Sequence, residues 1–270
     1  MTKPILRWAG GKRWLIKQIN DYLPGNINNY YEPFAGGLSI LIYLLNNQKI
    51  RNISTASDTN PHLINFYNTL KQDPERLINS LKSFKNTEDN YYKERAKNRR
   101  TNHTRAAKFL YLNRTSFNGI YRENLKGEYN VPYGKKSYDQ LFDYDQIYYL
   151  SEIFQNTLFE NEDFAHIDNF AERDDLVFLD PPYTVAHENN GFVKYNQKIF
   201  SWEDQIRLKD MVERLDNRGV NYILTNAKHI SIEHLYQGIG NIHNVSRSSL
   251  IGGKGAKRSK YNEIIITNAI

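Results

Sequence analysis

Apolar positions along this chain follow two alternating patterns. Short uninterrupted apolar runs end in an acidic residue or a glycine, and stretches with apolar residues three and four apart follow them. Asn29–Phe34 predicts a first strand that runs into Ala35-Gly36-Gly37, after which Leu38, Leu41, Ile42 and Leu45 repeat at helical spacing. Asn52–Ser57 predicts a second short strand ending at Asp58, and Pro61 suits the first turn of a helix through Leu70. Asp174–Leu179 predicts a strand ending at Asp180. Trp202–Leu215 predicts an amphipathic helix closed by Gly219, Tyr222–Thr225 a buried strand, and Glu263–Thr267 a final one. The alternation predicts an α/β fold with a largely parallel sheet.

Between Asp73 and Gln155 the apolar strands vanish and helical spacing dominates, with a Gly/Asn-rich loop over Phe117–Gly134. An insertion of this size exceeds what a connection between sheet elements needs. It predicts a separate, mostly helical subdomain over 73–155, set into a domain formed by 1–72 and 156–270. No internal repeat or extended low-complexity tract interrupts this plan.

Composition narrows the possibilities. A chain of 270 residues can bury one substantial core with a smaller insert. Its hydrophobic content is 40% and its mean hydropathy −0.70, and no apolar run approaches a membrane span. Residues Met1–Lys12 lack the apolar stretch of a signal peptide, so a soluble cytoplasmic protein is expected. Cysteine is absent, which excludes disulfides, thiolate metal sites and thiolate nucleophiles. The histidines lack ligand-like spacing with carboxylates, so no metal is expected.

The net charge of +6 is modest, but its placement is uneven. Lys93, Arg95, Lys97, Arg99, Arg100, Arg105 and Lys108 face only Glu94 within their segment. A second basic stretch, Ser246–Tyr261, holds Arg247, Lys254, Lys257, Arg258 and Lys260 without an acid. Such clusters suit phosphate binding by counterion release. A solvated helix face and a basic surface loop fit the same residues.

The chemistry begins at the first strand end. Small residues in Glu32-Pro33-Phe34-Ala35-Gly36-Gly37 let backbone approach a ligand at the start of the next helix. Asp58 lies about twenty residues on, where dinucleotide-type folds place an acid against ribose hydroxyls. The full glycine fingerprint for a pyrophosphate is missing, so S-adenosylmethionine (SAM), with a ribose and no phosphate, fits better than NAD. Asp58 also fits the N-cap of the Pro61 helix. Trp8-Ala9-Gly10-Gly11-Lys12 forms a further glycine turn, with a cation for a carboxylate and an indole for a sulfonium.

Asp180-Pro181-Pro182-Tyr183 is the sharpest motif. Two prolines fix φ and remove two donors, leaving the Pro181 carbonyl to face a ligand. Asp180 and that carbonyl can accept both hydrogens of an exocyclic amino group while Tyr183 stacks on the ring. Two acceptors localise an otherwise delocalised amino lone pair, as N-methylation of a nucleobase requires. The base must leave a duplex to reach such a pocket. A Pro-rich turn after a strand is the plainer alternative. Adenine N6 is favoured by Asp at the head of the motif, with cytosine N4 and RNA adenine still open. Cysteine-dependent methylation of cytosine C5 is excluded.

With these pieces in order the chain resembles the Dam-like family of DNA adenine-N6 methyltransferases, in the alpha-type order of motifs. The resemblance runs through Trp8–Lys12, Glu32–Gly37, Asp58, Phe109-Leu-Tyr-Leu-Asn-Arg114, Phe117-Asn118-Gly119, Tyr121-Arg122, Gly127–Gly134 and Asp180–Tyr183. It implies a Rossmann-like SAM-dependent methyltransferase sheet with an inserted DNA-recognition subdomain. It implies that Trp8, Lys12, Phe34, Gly36, Asp58, Asp163, Phe164 and Asp180 line the SAM site, with Asp163 and Phe164 flanking its adenine. Asp180, Pro181 and Tyr183 would hold the target base. Arg122 matches a guanine-reading arginine, and Arg114, Phe117, Asn118 and Pro132 match positions at double-stranded DNA. GATC is the expected site, and restriction–modification, phage and host-marking roles (with a nucleoid location) are all compatible.

Overall fold

The structure, a computed structural model, describes residues 3–124, 127–138, 140–184, 200–248 and 260–269. The cations of the basic stretch Ser246–Tyr261 lie outside the described residues or side chains. Strands β1 (Tyr30–Glu32), β2 (Ser54–Ser57), β3 (Thr157–Glu160), β4 (Leu176–Leu179), β5 (Asn221–Ala227), β6 (Asn241–Ser248) and β7 (Lys260–Thr267) form one sheet in the order β3-β2-β1-β4-β5-β7-β6. β4 runs parallel to both β1 and β5, whereas β7 is antiparallel to β5 and β6. This is the expected Rossmann-like α/β sheet, with an antiparallel pair closing one edge. No helix among the described residues is long and apolar enough to cross a membrane.

The expected strands are present with altered ends. β1 stops at Glu32, before Pro33, which has no N–H to give a ladder. β4 begins at Leu176 because Asp174 sits in a turn with φ +70°. β1, β2 and β4 are buried at every position, as strands covered on both faces must be. Two strands, β3 and β6, were not expected from the apolar pattern.

By contact density the chain divides into two compact units. The first comprises Met1–Arg13, Ala35–Lys49 and Ala56–Asn161. It carries α1 (Ser39–Asn46), α2 (Pro61–Gln72), α3 (Pro74–Leu81), α4 (Glu88–Ala96), α5 (Asn102–Thr115) and α6 (Tyr144–Ile153). Asp73, Thr87 and Asp143 cap α3, α4 and α6 through side-chain oxygens. Phe66, Tyr67, Phe154 and Phe159 form its aromatic centre, with Tyr67 stacked on Phe159 at 5.2 Å. Much of the Lys93–Lys108 charge is spent inside this unit. Lys108 Nζ donates to the Arg95 and Lys97 carbonyls at 2.9 and 2.7 Å, Arg95 donates to the Val131 carbonyl at 3.0 Å, and Arg99 pairs with Glu94. Lys93, Lys97 and Arg100 remain exposed.

The second unit comprises Trp14–Phe34, Ile50–Thr55 and Glu162–Ile270, with α7 (Trp202–Asn217) and α8 (Ile230–Leu235). Ser201 and Asp204 form a capping box at the start of α7, and Gly219 at φ +72° follows its end. Leu208, Met211, Val212 and Leu215 of α7 pack with Val177, Leu179, Leu224, Ile264 and Ile266 of the sheet. Burial of one such side chain stabilises by about 1.5–3 kcal/mol, more than the exposed Lys209–Glu213 pair can supply.

Candidate active site

In the first unit the turn after β1 is set by one glycine. Gly36 adopts φ +46°, and a Cβ there would lie 2.8 Å from Cδ1 of Trp8. Trp8 therefore requires a residue without a side chain at that point. The Gly36 N–H donates to Asp58 Oδ2 at 3.4 Å, and the Asn60 N–H donates to Oδ1 at 2.9 Å. The α2 N-cap is Asn60, which accepts from His62 and Leu63, so Asp58 is not needed there. Asp58 is anchored further by its backbone, through Glu160 at 3.2 Å and Asn161 at 2.8 Å. Burial pushes its carboxyl from 3.8 up to about 6, against the lowering effect of the Asn60 and Gly36 N–H groups. Such a carboxylate gains from further hydroxyl donors.

Trp8 stacks on Tyr121 at 5.7 Å and meets Phe109 at 6.3 Å, so protein already covers a face of the indole. Lys12 is buried and donates to the Gly10 carbonyl at 2.9 Å, closing its own turn. The Asn113 side chain, also buried, receives the Arg7 N–H at 2.9 Å and donates to the Arg7 carbonyl at 2.7 Å and the Gly119 carbonyl at 3.2 Å. One amide thus holds both the residue before Trp8 and the turn after Phe117.

That turn presents an apolar tip. Phe117 is 52% exposed, and its N–H donates to the carbonyl of Pro132, which is exposed as well. Asn118 stands at φ +55°. Gly134 is needed behind them, because a Cβ there would lie 2.5 Å from the Ser116 carbonyl oxygen. Arg122 is exposed, with Nε donating to Asn130 Oδ1 at 2.8 Å. Arg114 is differently occupied: Nε donates to the Leu141 carbonyl at 3.0 Å, and its guanidinium lies 4.8 Å from the Tyr138 ring centre.

In the second unit Phe34 stacks on Phe164 at 5.5 Å, and Phe200 meets both rings. Asp163 accepts from the Ala165 N–H at 3.0 Å and from Arg207 at 2.8 Å, while the Arg207 guanidinium covers Phe164 at 4.9 Å. Asp180 follows β4, and the Thr225 hydroxyl donates to its Oδ1 at 2.8 Å. Pro181 is buried and Tyr183 partly so. The Tyr183 hydroxyl donates to Oε2 of Glu263 at 2.7 Å.

Thr225 and Glu263 are fully buried, as are Asn226 and Gln205. The Asn226 side chain accepts the Ala227 N–H at 2.9 Å, and Gln205 donates to the Tyr236 hydroxyl at 3.0 Å. The first of these bonds lies at the end of β5 that carries Thr225. Asn113, Thr225 and Glu263 were not singled out from the sequence. The one available signal was a hydroxyl or carboxyl interrupting an otherwise apolar run.

Residues 8–250 match the family described as D12 class N6 adenine-specific DNA methyltransferase. The type II methyltransferase M.MjaIII of Methanocaldococcus jannaschii is 36% identical over 288 residues, spanning 99% of this chain and 99% of its own length. The type II methyltransferase M1.LlaDCHI of Lactococcus lactis subsp. cremoris is 36% identical, spanning 98% of this chain and 95% of its own. The DNA adenine methylase of Escherichia coli K12 is 33% identical, with 98% and 94% spanned.

Proposed function

Because this chain belongs to the D12 class of N6 adenine-specific DNA methyltransferases, we propose that it methylates a flipped-out adenine within a short duplex site, GATC first among candidates, using S-adenosylmethionine. The observation that carries the reading is the Asp180–Tyr183 segment at the end of β4, held by buried groups at both of its ends. An unused turn would not draw two buried polar side chains out of the β5–β7 pair.

The donor set fits the cofactor. Asp58 is a partly buried carboxylate, pushed up to about 6 by its burial, to which the paired hydroxyls of a ribose would donate. Phe34 and Phe164 offer an aromatic wall for an adenine, with the Asp163 carboxylate beside it for an exocyclic amine. Lys12 and Trp8 belong to the glycine turn that would receive the methionine end. When bound, S-adenosylmethionine supplies an electrophilic methyl group.

The chain's own residues prepare the acceptor. Asp180 and the Pro181 carbonyl accept the two hydrogens of the N6 amino group and localise its lone pair. Thr225 holds Oδ1 of Asp180 so that the carboxylate keeps one orientation. Tyr183 stacks on the extruded ring. The extra proton of the methylated amine passes to the Asp180 carboxylate and from there to solvent. Arg122 offers a fork to O6 and N7 of a guanine, and Phe117 and Pro132 form an apolar edge against the bases. Two type II methyltransferases among the relatives make a restriction–modification setting a natural place for such an activity.

The test is to incubate the purified chain with unmethylated genomic DNA and S-adenosylmethionine, then map modified bases by single-molecule sequencing. N6-methyladenine in one short motif is the expected result, and GATC would support the Arg122 assignment. Methylated cytosine, or no mark, would overturn the reading.

A further inference from the structure

Glu263 is the most anomalous side chain in the second unit. It is 1% exposed at the head of the Ile264-Ile265-Ile266 run of β7, where an apolar residue would extend the ladder without burying a polar group. Its Oε2 accepts the Tyr183 hydroxyl at 2.7 Å. Across the β5–β7 ladder Glu263 pairs with Ala227, and Thr225 pairs with Ile265. The two side chains that grip the ends of the Asp180–Tyr183 segment therefore stand on one antiparallel pair of strands, two residues apart in register.

This arrangement has a mechanical meaning. A tyrosine ring pivots about the axis that ends at its hydroxyl, so a bond at that oxygen fixes where the axis points. Thr225 fixes Asp180 at one end of the segment and Glu263 fixes the ring at the other. We propose that Glu263 is a positioning residue for the target base, acting through Tyr183 to hold the axis of the ring on which the extruded adenine stacks. The inference rests on the reading of Tyr183 given above and assigns Glu263 no contact with substrate.

The experiment is a double-mutant cycle on the full chain with Glu263→Met, Tyr183→Phe and the pair, and with Glu263→Gln as the conservative variant. Each is assayed for kcat, for affinity towards S-adenosylmethionine, and for the fluorescence of a duplex carrying 2-aminopurine at the target adenine. Glu263→Met is expected to lower kcat roughly ten- to a hundredfold with cofactor affinity unchanged. The 2-aminopurine signal should brighten as stacking loosens. In the Tyr183→Phe background, where no hydroxyl is left to hold, Glu263→Met should cost nothing more. Glu263→Gln, which keeps an acceptor and nearly the same shape, should recover most of the rate.

Equal losses from Glu263→Met with and without the Tyr183 hydroxyl would overturn the inference. So would a lowered melting temperature with kcat and fluorescence unmoved. If the unsubstituted protein neither methylates adenine nor changes the 2-aminopurine signal, the reading of Tyr183 itself falls, and this inference with it.

Discussion

Asp58→Asn is expected to make the protein more stable and a poorer binder of S-adenosylmethionine. In the folded chain the Asp58 carboxyl is pushed from 3.8 up to about 6, so it holds its proton more tightly than when unfolded. Stability from this group is complete below about 3.8 and is lost as pH rises through 6. Above that range the ionised group costs about 3 kcal/mol. Asparagine removes the charge and keeps an oxygen for the Asn60 N–H at 2.9 Å, but its amide nitrogen then faces the Gly36 N–H across 3.4 Å. The net gain at pH 7.5 is therefore about 1–2 kcal/mol, readable in urea unfolding curves. Cofactor binding should run the other way, because in the proposed site the ribose hydroxyls would donate to the ionised carboxylate. Affinity of the unsubstituted chain should fall about tenfold between pH 7 and pH 5, in titrations without DNA. The same titrations of Asp58→Asn should be weaker at neutral pH and nearly flat. A flat profile in the unsubstituted chain, or an Asp58→Asn protein less stable at pH 7.5, would refute the reasoning.

Three further outcomes follow from other contacts. Thr225→Val, close in shape but without the hydroxyl on Asp180, should slow single-turnover methylation roughly tenfold or more while leaving the melting temperature within a few degrees. Gly36→Ala should cost about 1–3 kcal/mol of stability by equilibrium unfolding, since its methyl meets Trp8 in a backbone region hostile to side chains. Arg122→Ala should lose about 1–3 kcal/mol of discrimination at one guanine in binding assays on single-substitution duplexes. A uniform loss on all sequences would make Arg122 a phosphate contact.

Much of the fold was legible because parallel strands buried on both faces leave short apolar runs, and the run before Asp180 is one of them. β3 escaped because Leu158-Phe159 is a run of only two apolar residues between Thr157 and Glu160, and a four-residue strand after a helix carries little pattern. β6 escaped because Asn241–Ser248 is polar along most of its length and becomes a strand only through its pairing with β7. The motif residues were legible as types in order, yet their supports were not. Thr225 and Glu263 sit in strands whose neighbours suffice to predict the strand, so only the tertiary contact shows what each holds. The basic segment taught the converse: its charge was plain, but Arg95, Arg99 and Lys108 are directed into the fold.

The Asn113 amide couples two distant stretches of the chain. A planar group that bonds Arg7 through both of its polar ends and also reaches Gly119 cannot swing to follow one segment without releasing the other. The N-terminal glycine turn and the exposed Phe117 tip are thus geared together, although about a hundred residues separate them. A displaced tip would therefore strain the same amide that holds the residue before Trp8.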